Sequence, residues 1–334
     1  MGRRVNRVAD DLNAALHKLF EADPSAYLLG EDVADPYGGA FKITKGLTTR
    51  FPGRVRATPI SEAGFTGVAC GLALTGNTVI VEIMFADFLF LALDQIVNFA
   101  AKSVSMYGRR LPMRLIVRCP TGGRRGYGAT HSQSPQKHLI GVPDLAIYEL
   151  SPLHPAAAVF AEMTAAAIPC LFVEDKSLYG ERLPAGDRLD DLFSFDRLGT
   201  HARAYADRSL PVDHLVLAPG GMLGRTLAAA RRLLLDREEN TQIVVPSRLY
   251  PLDLDPLLPL LTAAGRVSVV EESTAGGTWG EHVAARINAA VRLRHPVTLV
   301  SSADSIIPAA PQLEAQVVAG ADTIYAALAT GPLA

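Results

Sequence analysis

The segment that decides the fold is residues 54–85, which read RVRATPISEAGFTGVACGLALTGNTVIVEIMF. The runs at 54–60 and 78–85 are strand candidates, and the glycine- and alanine-rich stretch between them favours a buried helix that begins near Glu62. A strand, a helix and a second strand in this order predict two parallel strands joined by a helical crossover. Glu62 is the only charged residue between the two runs.

The same alternation of strands and helices extends along the rest of the chain. It predicts a parallel sheet covered by helices, followed after a polar, proline-containing stretch by a second set of strands and helices. We therefore expect an α/β protein with two parallel or mixed sheets. Its predicted divisions are a first domain at 1–180, a linker at 181–204 and a second domain at 205–334.

Composition excludes several classes of function. The chain has 334 residues, of which 49% are hydrophobic, with a formal net charge of -2, so it has no basic surface for nucleic acid. It contains neither an apolar run long enough to cross a bilayer nor a signal peptide, so we expect no membrane partner. Cys70, Cys119 and Cys170 are far apart and are expected to be core residues, which favours a reducing, cytoplasmic location.

Three residues are candidates for chemistry, and each has a simpler explanation. Glu62 is either a carboxylate that stabilises the start of a helix or a functional group. His131 lies in the loop sequence GYGATHSQSP, where a histidine is usually solvated, and Phe88 is most simply a core residue. The glycine-rich turns match neither a dinucleotide fingerprint nor a phosphate-binding loop, and no cluster has metal-ligand spacing.

Taken in order, several motifs resemble one known family. GEDV, GGAF, TPISEAGFTGVACGLALTG, VEIMFADFLFLALDQIVNFAAK, VRCPTGG, GATHSQSP, FVEDKSLYG and VEESTAGGTWGEHVAARI are similar to the β subunits of thiamine-diphosphate-dependent 2-oxo acid dehydrogenases. The resemblance covers nearly the whole chain. It implies a transketolase-like architecture, with a pyrimidine-binding first domain and a transketolase C-terminal-like second domain.

The resemblance also implies roles for individual residues. Glu62 matches the glutamate that bonds a ring nitrogen of the cofactor's aminopyrimidine, and Phe88 matches an aromatic residue that packs on that ring. His131 matches the family's active-site histidine. Glu31 matches an acidic position that shares a hydrogen-bond network with Glu62. Such groups make chemical sense, because thiamine diphosphate carries the reactive carbon and the protein tunes it.

The sequence contains no Gly-Asp-Gly, the signature with which the family holds Mg²⁺ and the diphosphate. The resemblance therefore implies that an α subunit supplies the Mg²⁺ site, that an α₂β₂ heterotetramer forms, and that no side chain of this chain is a metal ligand; a potassium site built from backbone oxygens stays open. The reaction implied is oxidative decarboxylation of a small 2-oxo acid, with acyl transfer to lipoamide. A lipoyl-bearing acyltransferase is thus a further expected partner.

Some positions depart from the family pattern and leave alternatives open. Gly141 stands where a second histidine is common, and Arg124 and Arg125 add positive charge in the loop before His131. These arginines are either solvent-exposed or bind an acidic substrate or partner. The first alternative function is a carboligase that joins the activated aldehyde to another carbonyl or acyl compound. The second is a non-catalytic scaffold subunit.

Overall fold

The computed structural model describes residues 7–330, and the chain divides into two compact units. Within the described range, unit 1 comprises residues 7–121 and 139–183, and unit 2 comprises residues 122–138 and 184–330. The segment 122–138 therefore belongs to unit 2, although it is inserted between two parts of unit 1. The linear division at 180 and 204 stays a prediction.

Unit 1 contains a parallel sheet with helices packed on it. Its helices are α1 (Val8–Ala22), α2 (Leu47–Arg50), α3 (Glu62–Leu74) and α4 (Ala156–Ala166). Its strands are β1 (Ala26–Gly30), β2 (Val55–Ala57), β3 (Thr78–Glu82), β4 (Leu115–Thr121), β5 (Ala146–Glu149) and β6 (Cys170–Asp175). They pair in parallel in the order β5-β6-β4-β3-β1-β2, so the predicted crossover from β2 through α3 to β3 is present.

The segment 88–107 differs from the single long helix that its apolar content predicts. A 3₁₀ helix covers Ala86–Ala92 and a π-helix covers Asp94–Ala101. The change of pitch occurs where the apolar run ends and polar residues begin, and Asn98 donates to Asp94 at 2.9 Å in the wider turns. Apolar periodicity predicts which face is buried, but it does not discriminate between helix types.

A buried ion cluster crosses the sheet of unit 1. Arg118 on β4 donates to both carboxylate oxygens of Glu174 on β6, at 2.8 and 2.5 Å, and also to Glu82 at the end of β3. The Tyr179 hydroxyl donates to Glu174 at 2.7 Å. Burial opposes the charge on Arg118, but Glu174 and Glu82 outweigh it and raise the pKa of the guanidinium. One cation thus compensates two buried carboxylates.

Unit 2 is built around a mixed sheet. The strands of that sheet are β7 (Ser194–Leu198), β8 (His201–Tyr205), β9 (His214–Leu217), β10 (Thr241–Pro246), β12 (Arg266–Thr274) and β13 (Thr298–Ser302), and the short strand β11 (Arg248–Tyr250) lies outside it. Its helices are α5 (Leu223–Arg237), α6 (Leu258–Ala263), α7 (Trp279–Ala290), α8 (Pro311–Val317) and α9 (Ala321–Ala329). The sheet order is β13-β12-β9-β10-β8-β7, with β8 antiparallel to both of its neighbours. The predicted α/β class with two parallel or mixed sheets is confirmed.

The segment 181–204, which was expected to link the domains, contains β-strand residues that its polar composition does not predict. β7 and β8 form an antiparallel pair at one edge of the sheet in unit 2. β7 is only half-buried, so it carries polar residues such as Asp196 and Arg197 and lacks a strong apolar signal.

Two predictions from composition can be compared with the described residues. All three cysteines lie in the described range and are buried thiols, which confirms them as core residues. Among residues 7–330, no helix is both long and apolar enough to span a membrane.

Candidate active site

Glu62 is the first residue of α3, at the carboxyl end of the β2 strand that precedes it. Its side chain is only 4% exposed and makes no hydrogen bond to any other residue in the range 7–330. The carboxylate therefore does not cap α3, and the helix begins after Ser61 without a side-chain cap. Burying a carboxylate is costly, and a helix cap does not repay that cost here, so the start of α3 alone does not account for Glu62.

Glu31 lies directly after β1, and the fold brings its carboxylate close to that of Glu62. Glu31 is 7% exposed, and its Oε1 is buried without a hydrogen-bond partner among the described residues. Burial, and then the charges of Glu62 and Asp32, raise the pKa of Glu31. Two adjacent buried carboxylates with unused acceptor capacity fit a ligand that offers a proton or a donor.

We expect Glu31→Gln to raise the unfolding temperature of the full chain by a few degrees at neutral pH, since it removes a carboxylate that is buried beside Glu62. The folded pKa is raised, so the stability linked to this group is present at low pH and is lost as pH rises through that pKa. The gain should therefore shrink as pH falls toward the ordinary value of 4.5. Thermal unfolding followed by circular dichroism at both pH values measures it.

The surface pair of Glu21 with Arg50 provides the control for this measurement, since Glu21→Gln should give no such gain at neutral pH. An equal gain for Glu31→Gln at both pH values would show that the charge of Glu31 is not the cause.

Phe88 belongs to a chain of aromatic contacts in unit 1. It lies in the 3₁₀ helix Ala86–Ala92, is half-buried, and packs edge-on against Phe85 with ring centroids 6.4 Å apart. Phe85 contacts Phe41 at 6.0 Å, and Phe41 contacts Tyr179 at 5.1 Å. Phe88 is therefore held by contact with other rings and is half-exposed, which suits stacking on a ring.

His131 lies in the segment 122–138, which we call the His131 loop and which belongs to unit 2. The imidazole is half-buried, and the Thr130 hydroxyl lies 2.9 Å from its Nδ1, so one ring nitrogen is held. Glu31, Glu62 and Phe88 all lie in unit 1. The structure thus brings Glu31 and Glu62 together within one unit and assigns His131 to the other.

The sequence left open whether Arg124 is solvent-exposed or binds a substrate or partner. In the structure it makes contacts within unit 2. Its backbone N–H donates to Glu314 Oε1 at 2.7 Å, and its Nη2 donates to the Ala319 carbonyl at 3.1 Å. These contacts fix the start of the His131 loop. Sequence reasoning missed Glu314, and it also missed Glu272, the second buried carboxylate that accepts from this loop. The adjacent acidic pair at the end of the apolar run VSVVEES was the available signal.

Within residues 7–330, no group of three or more His, Cys, Asp or Glu side chains is arranged to hold a metal ion.

Comparison with known proteins gives the family. The transketolase pyrimidine-binding domain matches residues 7–182, and the transketolase C-terminal domain matches residues 205–324. A pyruvate dehydrogenase E1 component subunit beta-2, mitochondrial, from Oryza sativa subsp. japonica is 34% identical over 96% of this chain and 84% of its own. The chain belongs to the family of 2-oxo acid dehydrogenase E1 β subunits.

Other E1 β subunits show similar identity. The pyruvate dehydrogenase E1 component subunit beta of Leifsonia xyli subsp. xyli is 33% identical over 94% of this chain and 90% of its own. The 2-oxoisovalerate dehydrogenase subunit beta 2, mitochondrial, of Arabidopsis thaliana is 32% identical over 89% and 81%, respectively. The family predicted from the motifs is confirmed.

A solved structure supports the fold of this E1 β subunit. The inactive β4 tetramer of a split-gene transketolase superposes with a TM-score of 0.75 over 98% of both chains, at 19% sequence identity. At that identity the likeness concerns the fold alone, and it agrees with the transketolase-like architecture expected from the motifs.

Proposed function

We propose that this chain forms the pyrimidine-side half of a thiamine diphosphate site, in a heterotetramer with an α subunit that carries Mg²⁺ and the diphosphate. The observation that carries the proposal is a pair of buried carboxylates in the pyrimidine-binding domain. Glu31 lies directly after β1, and Glu62 is the first residue of α3. The Glu31 Oε1, which has no partner among the described residues, can accept from the amino group of an aminopyrimidine, and the Glu62 carboxyl can share a proton with a ring nitrogen.

Four residues of this chain would have separate roles at the cofactor and the substrate. Glu62 would hold or share a proton at a ring nitrogen, and Glu31, whose pKa is raised by burial and by Glu62, would keep that proton within the pair. Phe88 would pack on the ring and exclude water. His131 would orient or protonate the 2-oxo acid or the acyl acceptor.

When bound, thiamine diphosphate supplies the nucleophilic carbon and the electron sink for decarboxylation of the 2-oxo acid. The proposed overall reaction releases carbon dioxide and transfers the acyl group to lipoamide, whose disulfide is reduced. A lipoyl-bearing acyltransferase is the proposed third partner. Because the relatives include a pyruvate subunit at 34% identity and a 2-oxoisovalerate subunit at 32%, both 2-oxo acids are candidate substrates.

The cytoplasmic location also stays a prediction. Its basis is the cysteine usage, with three buried thiols. Several relatives carry the word mitochondrial in their names.

We expect the chain, co-purified with its α subunit and supplied with thiamine diphosphate and Mg²⁺, to form acyl-lipoamide from a 2-oxo acid. The chain alone should be inactive, because the metal and diphosphate site is expected on the partner. Product analysis by mass spectrometry with 2-oxo acids of different side chains, in the presence of lipoamide and of a second aldehyde, measures the outcome.

Ketol formation without any acyl-lipoamide would replace the dehydrogenase with the carboligase. Absence of both products from a pair that binds the cofactor would favour the scaffold subunit.

A further inference from the structure

The His131 loop is held at both ends by contacts within unit 2. At its start, the backbone N–H of Gly123 donates to Glu272 Oε1 at 2.6 Å, and that of Arg124 donates to Glu314 Oε1 at 2.7 Å. At its end, the Lys137 ammonium donates to the carbonyls of Thr274 and Gly276, at 2.7 and 2.8 Å. Three charged side chains therefore make backbone contacts on either side of His131.

The two carboxylates at the start of the loop are buried, at 8% exposure for Glu272 and 3% for Glu314. Burying a carboxylate is costly unless hydrogen bonds or an opposite charge compensate it. Arg225 on α5 pairs with Glu272, and one backbone amide of the loop donates to Oε1 of each carboxylate. Charge-assisted hydrogen bonds of this kind are stronger than those between neutral groups, so they are suited to fixing a loop.

The backbone of the loop is shaped for this close approach. Arg124 has φ +64°, a left-handed conformation that non-glycine residues rarely adopt. A Cβ on Gly123 would lie 3.0 Å from Glu314 Oε1 and 3.3 Å from Val318 Cγ2, so any side chain there would displace the carboxylate. Further along, a Cβ on Gly128 would lie 3.3 Å from the Ala309 side chain. The loop is therefore seated on unit 2 at several points.

The anchored start is connected to His131 by hydrogen bonds within the loop. The Gly122 N–H donates to the Gln133 carbonyl at 3.2 Å, which closes the loop on itself, and the His131 N–H donates to the Gly128 carbonyl at 3.3 Å. A displacement at Gly123 and Arg124 would therefore be transmitted to the turn that carries the imidazole.

We propose that Glu272 and Glu314 are positioning residues for His131. Both accept from backbone amides of the loop, and their role is to fix the orientation from which the imidazole acts. This proposal rests on the proposed function, because it takes His131 as the group whose position matters. It assigns a catalytic consequence to two carboxylates of unit 2 to which the family resemblance gave no role.

The first test is hydrogen exchange of the full chain, measured by mass spectrometry on peptides that cover 122–138. Glu272→Ala and Glu314→Ala should speed exchange in these peptides by about 10- to 100-fold, because each variant removes a charge-assisted hydrogen bond. The Gln variants retain an acceptor oxygen and should restore much of the protection. Gly123→Ala, which pushes the carboxylate of Glu314 away without removing it, should also speed exchange.

Glu271 offers a matched control one residue along the same strand. It is 3% exposed, but its Oε1 and Oε2 accept from the backbone of Gly280 and Trp279, at 2.5 and 3.3 Å, at the start of α7. Glu271→Ala should therefore leave exchange in the His131 loop unchanged. Peptides from β9 provide an internal check that each variant is folded.

The second test is steady-state kinetics of the α/β pair. We expect Glu272→Ala and Glu314→Ala to lower kcat by about 10- to 100-fold, because a small misplacement of a catalytic group has effects of this size. Thiamine diphosphate affinity should be unchanged, since Glu31, Glu62 and Phe88 are untouched. The Gln variants should recover most of kcat, which loss of general stability would not explain.

Faster loop exchange together with a lower kcat supports the proposal. Unchanged loop exchange in both Ala variants overturns it, and so does faster exchange with a normal kcat. The exchange measurement needs no activity, so this proposal can fail while the proposed function stands. Failure of the proposed function would appear separately, as a pair that acts on no 2-oxo acid even with the wild-type chain.

Discussion

We expect the Glu62→Gln variant of the α/β pair to lose about 10²- to 10³-fold in kcat while its fold is unchanged. Glutamine has nearly the same shape and leaves α3 free to begin at the same residue, but it cannot ionise or share a proton with a ring nitrogen. Because the Glu62 carboxylate makes no hydrogen bond within residues 7–330, the substitution breaks no contact of the described chain. Turnover of a 2-oxo acid by the purified pair measures the effect.

Glu149→Gln provides a matched control for this experiment. Glu149 ends β5 in the same unit and is 5% exposed, against 4% for Glu62. We expect its glutamine variant to retain turnover close to that of the wild type. If Glu62→Gln behaved in the same way, with native cofactor bound, the role proposed for Glu62 would be wrong.

We expect Arg118→Met to destabilise the chain by about 3–5 kcal/mol, the largest stability effect we predict for a single substitution. Methionine fills a similar volume, but it leaves Glu82 and Glu174 buried without the cation that compensates them. Burial already raises the pKa of Glu82 against the opposing effect of Arg118, so loss of Arg118 should force a carboxylate to take up a proton. Urea unfolding followed by far-UV circular dichroism measures the change.

Circular dichroism is used instead of tryptophan fluorescence, because the single tryptophan, Trp279, lies in unit 2, whereas Arg118 lies in unit 1. Arg203→Met is the matched control. Arg203 makes a two-pronged pair with Asp196, at 3.0 and 2.6 Å, but their side chains are 17% and 25% exposed. Its loss should cost about 1 kcal/mol or less. Equal losses for the two variants would show that burial does not set the value of the Arg118 cluster.

The sequence by itself determined much of the local structure. The β2–α3–β3 crossover is present with helix α3 beginning at Glu62, as the segment 54–85 predicts, because apolar periodicity and glycine content act within a few turns of chain. The order of motifs was also enough to predict the family. The half-buried strand β7 escaped prediction, because an edge strand needs no continuous apolar run.

Only the tertiary structure decided which distant groups meet. Gly123 and Glu272 are 149 residues apart in sequence, and Arg124 and Glu314 are 190 apart, so no local pattern pairs them. The same holds for the cluster of Glu82, Arg118 and Glu174, and for the proximity of Glu31 to Glu62. The sequence identifies each of these residues as a charge near an apolar run. Their burial and their partners depend on which strands pair and which loops close, and long-range packing decides both.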